Sequence, residues 1–312
     1  MQDAIVTVLG GGGFIGRYLV QELFNAGARV RIAQRDPKAA FFLRLGRIGR
    51  IQFLAADVRN RASVERAVAG SDAVVNLVGV LGGDFRGIHV DGARNVAEAA
   101  KAAGVRALVH LSAIGAAPES PSRYGRSKGE GEAAVRAAFP EATILRPSIV
   151  FGREDSFTNR FARMLKYPLV PVVRGETRFQ PVFVADLAQA IARAVADPQA
   201  HGGMTCDIAG PEPMTMDALL RRLAEWTGRS PHFLSLPDSV VAAMARFGGW
   251  APGAPITWDQ WLMLQRDNVP APGSTGLEAF GITPTPLAAV APGWLVQYRK
   301  QGRFGVVRAV ES

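Results

Sequence analysis

Residues 4–16 read Ala4-Ile5-Val6-Thr7-Val8-Leu9-Gly10-Gly11-Gly12-Gly13-Phe14-Ile15-Gly16, and the fold turns on this stretch. The first six residues are a short apolar run of the kind that fills a buried parallel strand. Residues 14–26 are patterned as a helix, and Gly27 stands where a left-handed C′ residue closes one. Between them, Gly10, Gly13 and Gly16 are spaced three apart. Phosphate chemistry uses glycine there for three reasons: a tight turn, close approach of a pyrophosphate, and packing of helix on strand. The helix N-terminus adds unpaired N–H groups and a partial positive charge. A glycine motif alone is weak. The strand before it and the helix after it make this one a dinucleotide loop rather than a structural turn, with Gly12, Phe14 and Ile15 as further lining residues.

Working outward, residues 28–34, 74–78 and 107–112 read as further strands, and 93–103 as an alanine-rich helix. Such alternation implies an α/β fold, a Rossmann-type doubly wound parallel sheet with helices on both faces. Past residue 150 the tempo changes. Residues 182–186 look like a strand or turn leading into a helix at 187–197, and 214–227 reads as another helix. After 229 the chain is rich in Pro, Gly and Trp. Pro270, Pro272, Pro284, Pro286 and Pro292 are expected to break regular structure. The expected organisation is an NAD(P)-binding Rossmann domain over 1–150. A smaller C-terminal α/β lobe and extended tail would follow over 151–312, partly interleaved with the Rossmann sheet.

Composition narrows the function classes. With 312 residues, 48% hydrophobic and 20% charged, the chain can bury a sizeable core. Its one cysteine, Cys206, excludes a disulfide framework or a cysteine metal site. His89, His110, His201 and His232 lack metal-ligand spacing, so no metal is expected and each histidine is read as packed or solvated. The N-terminus carries no leader pattern, and no long apolar run suggests a membrane span. The net charge of +9 is spread along the chain rather than blocked, which argues against nucleic acid. It leaves an anionic membrane surface, acidic protein neighbours or plain solubility as its meaning.

Cofactor choice is read at the end of the second strand, in Gln34-Arg35-Asp36. Arg35 is placed to pair with a 2′-phosphate, with help from Arg17, so NADP(H) is favoured; Asp36 leaves NAD(H) open. Asp57 and Val58, after the third strand, would face the adenine or sit at a solvated strand end. Tyr124 and Lys128 stand four apart, which puts them on one face of a helix. There the lysine, with the nicotinamide charge, is expected to lower the tyrosine pKa and make it a usable acid/base.

Together these residues resemble the short-chain dehydrogenase/reductase superfamily in its extended or atypical branch. The resemblance is carried by Gly10 to Gly16, Asp57-Val58, Leu77-Val78-Gly79, Tyr124 to Lys128, Arg146 to Gly152 and Gln180 to Ala188. It implies a cofactor site that also takes in Leu77, Val78, Gly79, Pro147 and Ile149, with Tyr124 and Lys128 catalytic. The family's carbonyl-holding Ser or Thr falls on Ala113; Ser112 is adjacent, but successive strand residues face opposite ways. A narrower resemblance runs through Gln265 to Val269, Gly276 to Thr285, Pro292 to Leu295 and Tyr298 to Phe304. That order is similar to the nucleotide-binding accessory subunits of respiratory complex I (alpha-subcomplex subunit nine) and their bacterial relatives.

This narrower resemblance implies an NADP(H)-holding accessory protein partnered with respiratory complex I subunits. It would be peripheral, on the cytoplasmic side of the bacterial inner membrane or its mitochondrial matrix equivalent, with little or no turnover. Trp250, Trp258, Trp261 and Trp294 would then meet a partner or membrane, or simply pack the smaller lobe. The competing expectations are an active oxidoreductase or epimerase on a small carbonyl or nucleotide-sugar substrate, and a sensor of the NADPH/NADP ratio.

Overall fold

The computed structural model describes residues 1–43, 49–251, 254, 256–300 and 302. The end of the expected tail, residues 303–312, lies outside the described residues. The chain forms two compact units. Of the described residues, one holds those within 1–148, 184–209 and 270–283, and the other those within 149–183, 210–269 and 284–302.

In the first unit the opening apolar run becomes β1 (Ile5–Leu9), and the helix after the glycines becomes α1 (Phe14–Asn25). The chain continues through β2 (Arg29–Gln34), β3 (Ile51–Ala55), α2 (Arg61–Val68) and β4 (Ala73–Asn76). It then forms α3 (Gly92–Ala102), β5 (Ala107–Leu111), α4 (Arg123–Ala138) and β6 (Thr143–Pro147). After an excursion into the second unit, Val184–Ala196 forms a helix, and Thr205–Ile208 supplies the seventh strand. Among the described residues these strands make one parallel sheet in the order seventh-β6-β5-β4-β1-β2-β3. The strand order reverses between β1 and β4. Open α/β sheets bind ligands at that switch, outside the carboxyl ends of the strands.

Side-chain alternation builds the two faces. Val6 and Val8 are fully buried on one face of β1, the side on which α1 packs against helix Val184–Ala196. Leu9, Val74 and Leu108 face the other way and join Val64, Val68, Val96 and Val135 from α2, α3 and α4 in one core. Helices therefore cover both faces, and side chains at the strands' carboxyl ends are held from above and below.

The second unit is built from short ladders: Val150–Phe151 with Val182–Phe183, Arg178–Phe179 with Met214–Thr215, and Leu169–Val172 with His232–Ser235. Its core gathers Phe151, Leu165, Leu219, Leu223, Leu287, Leu295 and Tyr298. The Pro-rich stretch is more regular than its composition suggests. Helix Leu287–Leu295 runs through Pro292, because Leu287, Ala291 and Leu295 bury one face in that core. Tertiary packing there outweighs the lost N–H of the proline.

Candidate dinucleotide-binding site

Gly10 ends β1 in the left-handed region, φ +78°, where its N–H donates to Ala33 O at 2.8 Å. A Cβ on Gly16 would stand 2.3 Å from the Gly11 carbonyl oxygen, so the first turn of α1 rests directly on the loop backbone. Gly13 is the N-cap; it offers no side-chain cap, and no acid lies in the first turn. The first-turn N–H groups of α1 thus have no side-chain cap, and the helix dipole there favours an anion. Gly12 donates its N–H to Gln34 Oε1 at 3.0 Å, and Gln34 Nε2 donates to Asp36 O at 2.6 Å. The neutral Gln34 amide therefore ties the glycine loop to the end of β2.

The other wall of the crevice comes from β4. A Cβ on Gly10 would lie 3.3 Å from Val78 Cγ2 and 3.4 Å from the Leu77 carbonyl carbon. Asn76 holds this turn, accepting from Val78 N–H at 3.1 Å through Oδ1. Further out, Arg35 and Asp36 are exposed. The Arg17 guanidinium lies over the half-exposed Phe42 ring, 4.8 Å from its centroid. Asp57 is clamped by Arg59 (2.6 and 3.1 Å), which holds its carboxyl below the usual range, with a lesser contribution from Arg35. Asp57 and Val58 part ways. The Val58 side chain is buried against Gly92, and its carbonyl accepts from Asn95 Nδ2 at 2.8 Å.

On the reaction side, Ser122 caps α4 by accepting from Gly125 N–H at 3.0 Å. Tyr124 follows in the first turn, its ring edge-on to Phe85 (6.2 Å) and His89 (5.6 Å). Burial pushes its hydroxyl up to about 12. Lys128 is itself buried, and its Nζ donates to Leu111 O at 2.9 Å. Burial lowers the ammonium to about 8, against a smaller opposing pull from Glu132. Gly79 brings the β4 loop close, since a Cβ there would stand 3.5 Å from Lys128 Nζ.

Ala113, which offers no hydroxyl, is half-buried just beyond β5. Ser112 is 4% exposed, and its Oγ has no hydrogen-bond partner among the described residues. His110 Nε2 is in the same condition, and burial holds that ring down to about 3. Pro147 is buried at the end of β6, where its carbonyl accepts from Ile114 N–H at 3.0 Å. Ile149 belongs to the second unit.

The structure thus gathers Gly10 to Gly16, Leu77 to Gly79, Tyr124, Lys128 and Ala113 at the carboxyl edge of one sheet. Arg17, Arg35 and Asp57 lie on its β2–β3 flank. Sequence reasoning missed the rings packed against Tyr124, Phe85 and His89, because their pairing is long-range. Among the described residues, no group of three or more His, Cys, Asp or Glu is placed to hold a metal, and no helix is long and apolar enough to cross a membrane.

A doubly wound sheet with a glycine loop at its switch point and a Tyr–Lys helix beside it defines a nicotinamide-dinucleotide protein. Residues 6–209 match the NAD dependent epimerase/dehydratase family, and the chain belongs to that family. It is 38% identical to the mitochondrial NADH dehydrogenase (ubiquinone) 1 alpha subcomplex subunit 9 of Mus musculus, over 92% of this chain and 78% of the mouse protein. It is also 30% identical to the ceramide reductase of Caulobacter vibrioides, over 79% of this chain and 78% of that enzyme. Among solved structures, the NADPH-dependent quinone oxidoreductase QOR2 of Escherichia coli shares the fold. Its TM-score is 0.76 at 22% identity, covering 93% of this chain and 99% of the other.

Proposed function

We propose that this chain is an NADP(H)-binding accessory subunit of respiratory complex I, holding its dinucleotide for structural reasons with little or no turnover. The observation that carries the reading is a contrast between the two halves of the site. The cradle is complete: a left-handed Gly10, a Gly16 without room for a Cβ, and an uncapped, acid-free helix start. The reaction side is not tuned to match. Ala113 brings no hydroxyl where the family resemblance puts a carbonyl-holding Ser or Thr, and burial raises the Tyr124 hydroxyl pKa. The likeness to the mouse complex I subunit across most of the chain supports the same reading.

In this reading the first turn of α1 and the glycine loop hold the pyrophosphate, and Arg35 with Arg17 faces the 2′-phosphate. Lys128 meets the nicotinamide ribose and Tyr124 flanks the ring. Bound NADPH supplies a hydride where a substrate is present to accept it. The protein is peripheral, on the matrix or cytoplasmic face of the membrane that carries the enzyme, and its basic surface meets protein or anionic lipid. Affinity purification of the respiratory enzyme from cells that make both should recover this chain in stoichiometric amount. Quantitative absence from the enzyme would overturn the assignment.

A second reading, an active carbonyl reductase, is favoured by one observation: next to Ala113, the buried Ser112 hydroxyl has no hydrogen-bond partner among the described residues. The likeness to a ceramide reductase supports it. There Tyr124→Phe should abolish turnover of a carbonyl substrate with the dinucleotide still bound, and an unchanged rate would exclude that mechanism.

A further inference from the structure

One buried histidine joins the two walls of the site. Residues Arg86–Asp91 form a single π-helical turn ahead of α3, and His89 points inward from it with 2% of its surface exposed. π-turns are rare and concentrate at functional sites. This one is fitted to α4 by Gly131, where a Cβ would collide with His89 O at 2.1 Å. Two hydrogen bonds meet at the ring and a third extends them. Val80 N–H donates to His89 Nε2 at 3.0 Å. His89 Nδ1 and Ser127 Oγ are 2.8 Å apart, and Ser127 Oγ donates to the Tyr124 carbonyl at 2.9 Å. Because Nε2 accepts and the hydroxyl proton is committed to Tyr124 O, Nδ1 must carry the proton. The chain is fully directed.

We infer that His89 is a positioning residue: as the neutral Nδ1–H tautomer it locks the loop after β4, which walls the glycine loop, to the helix turn that carries Tyr124. The geometry links every element involved. Val80 follows Leu77, Val78 and Gly79, the first two of which back Gly10. Ser127 sits between Tyr124 and Lys128 on α4. Phe85 stacks on the His89 ring at 5.5 Å and Tyr124 abuts it edge-on, so the imidazole cannot turn without repacking both. Lys128 is the charged group that acts on it. Together with burial, Lys128 keeps the ring neutral through the physiological range, holding it at about 4. A protonated His89 would set Nε2–H against Val80 N–H and break the link.

The consequence for ligand binding rests on the dinucleotide reading above; the tautomer and the link do not. Long-range ¹H–¹⁵N spectra of the cofactor-free protein should show a protonated Nδ1 and an unprotonated Nε2 on His89, with the Val80 amide protected from exchange. The opposite tautomer, a charged ring or an unprotected Val80 would overturn the inference. NADPH affinity is then measured for wild type, His89→Phe, Ser127→Ala and the double variant. His89→Phe keeps a ring in the stack and removes both nitrogens. Ser127→Ala severs the same chain with a smaller change and serves if His89→Phe does not fold. Each single variant should weaken NADPH about tenfold, and the double variant no more than either, since both cut one chain. Additive losses, as from two separate packing defects, or wild-type affinity in Ser127→Ala, would refute the coupling. If the wild-type protein binds no dinucleotide at all, the functional reading fails, and the spectra still decide the link.

Discussion

Gly16→Ala tests the cradle at the point where the structure leaves least room. The new Cβ would stand 2.3, 2.5 and 2.6 Å from Gly11 O, C and Cα, all backbone atoms that no rotamer change can clear. Restoring ordinary contact means moving the start of α1 off the loop by roughly 1 Å. An N–H···O bond of ~2.9 Å stretched by that much no longer bonds. Losing two charge-assisted bonds at ~1.5–3 kcal/mol each predicts ~3–6 kcal/mol of lost binding, or about 10²- to 10⁴-fold in Kd. Overpacking adds a stability cost of ~1–3 kcal/mol, so the melting temperature should drop without loss of the fold. Titration of NADPH fluorescence, with circular dichroism as the folding control, measures both. Gly82→Ala, whose Cβ would meet nothing within 4 Å, should bind like wild type. A folded Gly16→Ala protein within about threefold of wild-type affinity would refute a loop that holds phosphates by backbone contact.

Three other outcomes follow from single residues. Arg35→Ala should weaken NADPH by ~10- to 100-fold with NADH unchanged, read by parallel titrations; equal effects on both would place the 2′-phosphate elsewhere. Lys128 titrates near 8 when folded, below its unfolded value, so the cost of burying its charge is felt in full below pH 8 and fades as pH rises toward ~10.4. The stability of wild type relative to Lys128→Met should therefore improve by up to about 3 kcal/mol between pH 8 and 10, measured by urea unfolding; a flat difference would contradict the burial. His110 is held near 3, so the unfolded chain takes up a proton below ~6.5 that the folded chain refuses, and stability should fall as pH drops from there toward 3. His110→Gln should flatten that acid limb in thermal melts, and an unchanged limb would show that other groups set it.

What the sequence made legible was local. β1, the glycine loop and α1 are contiguous, and each step carries its own signal: branched apolar residues, glycine, then helical periodicity. Tyr124 and Lys128 were equally readable, because a spacing of four is a helix property. The seventh strand was not. Thr205–Ile208 is short and pairs with β6 only after the chain has passed through the second unit. Pro292 misled because its cost is local, whereas the burial of Leu287, Ala291 and Leu295 that offsets it is tertiary. The surroundings of Tyr124 were equally hidden: the spacing shows a lysine nearby, but not that Lys128 is engaged by Leu111 O while burial opposes the phenolate. His89 lies 38 residues from Ser127, and no spacing rule joins them.

Whether the chain holds a structural dinucleotide is decided by purifying it natively, denaturing it, and identifying the released nucleotide by mass spectrometry. A parallel sample is followed for exchange and oxidation. The protein should release about one NADPH per chain, slow to exchange and not consumed when carbonyl substrates are added. Protein free of nucleotide, or a freely exchanging one oxidised by a carbonyl substrate, would contradict a structural dinucleotide.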